Sequence, residues 1–233
     1  MYVLGIETST PVCGVGIAEN RQILADYSLD AGVQHVERLI SMVNQVLADA
    51  NLSLDAMSGV AVGAGPGSFT GLRIGMATAK GLCLAAGVPI VSVSTLAGIA
   101  YDHLTYGVPV CAMLDARRGQ VYAGMYRSGK MGPHSVLSDA VLPLEELLPL
   151  LPRPVIFAGQ GAHVHKDRIM AWMEGDASIV PGFPKGGSLA AIGCVMVELG
   201  EVSDITQVEP NYLRSSQAEW LHDRDNLKSA KIG

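Results

Sequence analysis

Four groups of residues have types and spacings suited to chemistry. The run Gly63-Ala64-Gly65-Pro66-Gly67-Ser68-Phe69-Thr70-Gly71 stands where a strand pattern gives way to a helical one, and such a junction aims backbone N–H groups at a phosphate. It has neither the lysine nor the GxxxxGK[ST] spacing of a P-loop, and Ser68 occupies the place of the third glycine in GxGxxG. Gly65, Gly67 and Ser68 are therefore candidate nucleotide or RNA contacts, with a plain tight turn as the competing reading. Asp115-Ala116-Arg117-Arg118 reads as a basic hairpin tip. Its Arg117 and Arg118 suit RNA phosphate or an acidic partner, or are simply solvated. Glu7 closes the first strand pattern and reads as a structural acceptor before it reads as a general base. His163 and His165 are the closest histidine pair, but they precede a helical pattern and have no HxxxH spacing, so no metal site is expected there. GxSxG is absent, and no Ser or Cys has a recognisable base partner.

Composition narrows the field further. The chain has 233 residues, 49% hydrophobic and 16% charged, enough apolar material for one large domain or two lobes. Sixteen basic against 22 acidic side chains give a net charge of −6, which argues against a protein that holds nucleic acid by itself and leaves room only for a local basic patch. Cys13, Cys83, Cys111 and Cys194 lie far apart in apolar runs with no CxxC pair, so buried free thiols are expected. Reduced thiols, with no leader in MYVLGIETST, point to the cytoplasm. The uncharged stretch from Gly81 to Tyr101 approaches the length of a membrane span, but Gly87-Val88-Pro89 breaks it into helix end, turn and strand. No membrane span is expected.

The elements that must position these groups follow from periodicity. Strands are predicted over Tyr2–Glu7, Cys13–Ala18 and Gln22–Leu29, then a helix from about Val33 to Ala50. A short strand around Gly59–Gly63, a helix from about Thr70 to Ala86 stopped by Gly87, a strand Pro89–Val93 and a helix Thr95–His103 complete the first half. The second half opens in the same way, with strands Val108–Leu114, Gln120–Tyr126 and Val136–Val141, a short helix near Leu144–Leu151 and a strand Pro154–Ala158. Helices near Ala162–Met173 and Ser188–Leu199 close it. Two units that each begin with three strands and a helix predict a duplicated α/β fold. The expected lobes are 1–105 and 106–214, with the last helix a candidate to pack back on the first lobe and a polar tail at 215–233.

The two long helices have more apolar surface than one contact requires. In the second, Gly71, Gly75 and Ala79 share a small-residue side on which another backbone can come close, and only Arg73 and Lys80 mark a polar stripe. In the first, the stripe of Val36, Ile40, Val43 and Leu47 is widened by Leu39, Met42 and Val46 beside His35. The pair is a candidate protein-binding face, against the plainer reading that neighbouring elements cover it.

GIETST, QHVERL, GPGSFTGLRIG, DARRGQVYAGMY and the late PNYLR together resemble the bacterial TsaB (YeaZ) family, over nearly the whole chain up to Arg214. The resemblance implies an actin/Hsp70/sugar-kinase-like (ASKHA) α/β fold of two lobes. It implies a non-catalytic subunit in the synthesis of threonylcarbamoyladenosine beside the tRNA anticodon, one that binds and activates the related transferase TsaD through the first two helices. The ATPase TsaE joins that complex. Alone, the chain is expected to form a homodimer through the same face, because an apolar helix pair finds its own copy. The implied interface is His35, Leu39, Met42, Val46, Gly71, Gly75 and Ala79. TsaD proteins carry a metal-binding HxxxH where this chain reads Gln34-His35-Val36-Glu37-Arg38-Leu39, so neither metal nor TsaD chemistry carries over. Active members of the superfamily carry DxG near the first hairpin, where this chain has Glu7-Thr8-Ser9-Thr10-Pro11. No cofactor is expected on this chain: ATP serves the complex, and tRNA is reached through it. The alternatives are a stand-alone nucleotide-dependent transferase of the same fold and, weaker, an HxxxH metallopeptidase.

Overall fold

The structure, a computed structural model, describes residues 1–30, 35–104 and 107–214, without the side chains of 35–37. Two five-stranded sheets repeat one topology. In the first, β1 (Tyr2–Glu7), β2 (Val12–Glu19), β3 (Gln22–Asp30), β4 (Met57–Gly65) and β5 (Ile90–Ser94) lie in the order β3-β2-β1-β4-β5. In the second, β6 (Val110–Asp115), β7 (Gln120–Gly129), β8 (Gly132–Pro143), β9 (Val155–Ala158) and β10 (Ala177–Val180) lie in the order β10-β9-β6-β7-β8. Each sheet has an antiparallel meander of three strands followed by two parallel strands beside the first of them. This is the duplicated unit that the element pattern implied.

β1 and β2 are apolar along their length because both of their faces are covered. Leu4, Ile6, Cys13, Val15 and Ile17 point to one side and meet Leu39, Val43 and Val46 of α1 (His35–Asp49) and Met76, Ala79 and Cys83 of α2 (Phe69–Ala86). Val3 and Ala18 point to the other side and meet Leu189, Ala190 and Cys194 of α7 (Gly186–Glu198). Glycine makes that second contact possible. A Cβ on Gly5 would stand 2.0 Å from the carbonyl oxygen of Gly186, and one on Gly16 would stand 2.3 Å from the nitrogen of Gly187. The start of α7 thus rests on bare sheet backbone.

The second sheet is covered by α4 (Leu144–Leu147), α5 (Gln160–Val164) and α6 (Lys166–Met173) on one face, and by α3 (Thr95–Tyr101) on the other. The last helix of each half therefore crosses over: α3 packs on the second sheet and α7 on the first. The two crossing helices are tied together where Asp102 accepts from Ser188 Oγ at 2.8 Å and pairs with Lys185 at 2.7 Å.

Several predicted boundaries shift. β10 was not expected, because ASIV is short and flanked by polar residues. The helix predicted over Ala162–Met173 is two helices that meet at His165, and β8 is longer at both ends than predicted. α2 stops at Gly87 (φ 66°) as expected. All four cysteines are buried and unpaired, and burial pushes the Cys13 and Cys83 thiols up to about 11 and Cys111 up to about 12. Among the described residues no helix is long and apolar enough to cross a membrane.

Candidate functional site

Three strings singled out in the sequence meet at one end of the molecule. The β1–β2 turn (Glu7 to Pro11), the glycine-rich turn that opens α2 and the β6–β7 hairpin lie there, and the segment 210–214 links the last two. Asn211 N donates to Ala64 O at 2.7 Å, and Asn211 O sits where a Cβ on Gly65 would stand. The Tyr212 ring stacks on Phe69 with centroids 4.5 Å apart, its hydroxyl accepts from Arg73 Nε at 3.1 Å, and the Arg73 guanidinium lies 3.9 Å from the Phe69 centroid. Arg214 Nη1 then donates to Ala116 O at 2.7 Å. The strap PNYLR thus runs from α2 to the arginine hairpin. Beside it, Arg73, Met76, Ala77, Lys80, Val208 and Tyr212 line a groove of about 260 Å³.

The glycine-rich turn is occupied from within. Ser68 N donates to Ser9 O at 2.7 Å, Leu72 N to Ser68 O at 2.8 Å, and Gly71 N to Ser68 Oγ at 3.3 Å, so Ser68 caps α2. Gly65 is buried under Asn211, and Gly67 packs against Ser9. Of the three candidate contacts here only Ser68 is exposed, and its hydroxyl is the cap.

Glu7 lies inside this end of the sheet and is fully buried. Its Oε1 accepts from Ser9 N at 2.5 Å, while Oε2 finds no hydrogen-bond donor and crowds the place of a Cβ on Gly63. Burial pushes the carboxyl up to about 6, against hydrogen bonds from the Ser9 and Thr8 backbone that pull it down. Among the described residues it is a core acid with one unsatisfied oxygen and no basic partner.

The small-residue side of α2 also faces inward. A Cβ on Gly71 would stand 2.0 Å from Thr8 O, and one on Gly75 2.3 Å from Thr8 Oγ1, while Thr8 Oγ1 donates to Gly71 O at 2.8 Å. Ala79 is buried in the same core, as are Leu39 and Val46 of α1, and Met42 is half-buried. These placements correct the expected interface: Leu39, Val46, Gly71, Gly75 and Ala79 belong to the chain's own interior. His35 opens α1, but its side chain lies outside the described residues. The reason is periodicity itself. α2 is apolar on nearly every side, so its spacing does not mark which side meets the sheet, and on α1 the widened apolar stripe leaves the boundary between core and surface unmarked. The side left open carries Ile40 (48% exposed) on α1, and Ala77, Gly81, Leu84 (71% exposed) and Ala85 on α2, which packs against α1. Nothing lies within 4 Å of a Cβ on Gly81.

Between the halves, Asp139 of β8 accepts from Ser94 Oγ at 2.5 Å and from Tyr126 OH, while Ser94 Oγ caps α3 by accepting from Leu96 N and Ala97 N at 3.1 Å. Burial raises the pKa of both Asp139 and Tyr126. This polar junction had no signature in the sequence. Neither did the strap, whose partners lie about a hundred or more positions away. At the hairpin tip Arg117 (φ 63°), Arg118 (φ 56°) and Gly119 (φ 75°) are all left-handed, at a cost of roughly 1 kcal/mol for each arginine. Asp115 Oδ1 supports the bend by accepting from Arg117 N at 2.8 Å. Among the described residues no three His, Cys, Asp or Glu side chains gather as metal ligands.

Known proteins bear on this architecture. The family profile of TsaD, described as tRNA N6-adenosine threonylcarbamoyltransferase, matches residues 29–218. The tRNA threonylcarbamoyladenosine biosynthesis protein TsaB of Bacillus subtilis is 30% identical over 237 aligned positions, covering 96% of this chain and 100% of that one. The TsaB of Escherichia coli is 31% identical, covering 94% and 96%. The chain belongs to the TsaB family. Its role is accordingly in the biosynthesis of threonylcarbamoyladenosine on tRNA. YeaZ from Pseudomonas aeruginosa superposes with a TM-score of 0.79 at 30% identity, covering 91% of this chain and 99% of that one. The ADPNP-bound activator of 2-hydroxyisocaproyl-CoA dehydratase from Clostridium difficile superposes at 0.53 with 9% identity and shares the fold alone. The fold is the two-lobed actin-like one that the resemblance implied.

Proposed function

We propose that this chain is a non-catalytic subunit that binds and activates TsaD, the threonylcarbamoyl transferase of the same fold. The observation that carries the reading is the outward side of α2, where Leu84 stands in solvent beside Ala77, Gly81 and Ala85, with Ile40 exposed on the neighbouring α1. An exposed leucine next to a bare glycine on a helix suits a second helix that comes close there. The expected surface thus moves one helix face away from the residues first assigned to it, with Met42 at its edge. The same face, self-complementary across a two-fold axis, makes the homodimer when TsaD is absent. TsaE joins the assembled pair, and tRNA is reached through the complex.

The interior supports a chain with no reaction of its own. At the glycine-rich turn Ser68 N is engaged by Ser9, Gly71 N and Leu72 N are engaged by Ser68, and the buried Glu7 is not aimed at solvent. ATP is used by the complex and not hydrolysed on this chain.

The test is co-purification with TsaD after Leu84→Glu. Leu84 is exposed, so the variant keeps the fold of the parent, and the expected result is loss of the TsaD complex and of its tRNA modification. Undiminished binding would remove the helix-face assignment. Threonylcarbamoyl transfer by the chain without TsaD would instead favour the stand-alone transferase.

A further inference from the structure

The arginine hairpin is the part of this end of the molecule that the helix face does not use. Arg117 and Arg118 are exposed at the tip and adopt left-handed conformations that asparagine or glycine adopts far more readily. The tip is nevertheless held firmly. Ala116 N donates to Gln120 O and Gln120 N to Arg117 O, each at 3.1 Å, and Asp115 N donates to Gln160 Oε1 at 3.2 Å. A third guanidinium arrives from a distant part of the chain, since Arg214 Nη1 is bonded to Ala116 O within the same hairpin. Two exposed arginines of a chain with net charge −6 therefore share one loop, and a third, half-buried, braces it from the 210–214 strap. Strain retained at a position that asparagine would relieve points to the side chain as the reason for keeping arginine. Planar, permanently charged forks on a fixed tip match phosphodiester oxygens.

We infer that the Arg117–Arg118 tip, backed by Arg214, contacts the phosphate backbone of the tRNA on which the family acts. The contact positions RNA and reads no bases. It rests on membership in the family and not on TsaD docking through the helices, so the two readings fail separately.

The test measures binding of labelled tRNA across a salt series, with the chain alone and with the chain saturated with TsaD. Arg117→Asn combined with Arg118→Asn is expected to weaken binding by about ten-fold near 0.1 M salt. It should also flatten the plot of log K against log salt by about 1 to 2 units, as expected for one or two lost phosphate contacts. The paired lysine variant, Arg117→Lys with Arg118→Lys, keeps the slope because it keeps the charge. The melting midpoint of the asparagine variant should equal or exceed that of the parent, since the bend is relieved. Equal affinity and slope in both arms, or no tRNA binding in either, overturns the inference. A lower melting midpoint overturns the strain argument behind it. Loss of ATP binding with unchanged tRNA binding would assign the tip to a nucleotide phosphate and likewise end the RNA reading.

Discussion

The two halves share a strand order and differ in what lies outside it. In the first, the connections after the third and fourth strands are helices of 15 and 18 residues. In the second, the corresponding pieces are a four-residue helix and a broken pair of five and eight residues. The short helices of the second half bury Leu144, Leu147, Ile169 and Met173 against their sheet and leave Leu150, Val164, Met170 and Trp172 exposed. The first half covers its sheet with one side of each helix and leaves Ile40 and Leu84 outside. Apolar side chains thus stand outside in both halves, and what sets the first apart is that two long helices pack side by side and carry them.

The largest effect that probes this comparison is on folding. Gly71→Val drives a side chain into the Thr8 carbonyl, 2.0 Å from its Cβ, and should destabilise the chain by about 3 kcal/mol or more. Chemical denaturation measures it, and a fold of parental stability would return Gly71 to the list of surface residues. Leu84→Glu comes next, with at least a hundred-fold loss of TsaD affinity by calorimetry and a melting midpoint within a few degrees of the parent. Ser94→Ala removes the bridge between halves, leaving Asp139 and the first turn of α3 short of a partner, at a cost of about 2 kcal/mol. Should the halves melt in two separate transitions in that variant, the junction is what couples them.

A pH dependence of similar size is confined to the first half. The Glu7 carboxyl is raised by burial to about 6 in the folded chain from an ordinary 4.5. The folded state therefore holds its proton more tightly than the unfolded state does. Its contribution is fully present below about pH 4.5, declines as the pH rises through 6, and amounts to about 2 kcal/mol. Glu7→Gln should remove that part of the decline, as seen by comparing denaturation at pH 5 and pH 7.5. Equal slopes for the parent and the variant would count against a neutral Glu7.

The strands were legible because β-rich runs and turn residues punctuate both halves, and GAGPGSFTG marked its strand-to-helix turn. β10 was not, since four residues of mixed exposure carry no alternation strong enough to read. The helices were legible as helices but not in orientation. Ile40 sits in the apolar spacing of α1 yet lies half in solvent, while Leu39 beside it is buried, and one apolar residue carries no label for inside or outside. Contacts between distant positions were the least legible. Nothing in PNYLR announces that Tyr212 stacks on Phe69 or that Arg214 reaches Ala116.

The crossing of α3 and α7 has a consequence for synthesis. The sheet that the ribosome delivers first is roofed on one face by a helix ending at Glu198, among the last parts to emerge. Until then the bare backbone at Gly5 and Gly16 has no lid, so the nascent first half must wait, greasy side outward, for nearly the entire polypeptide. A message truncated before α7 would yield a chaperone substrate, whereas cutting the finished protein between its halves should leave the two fragments clasped.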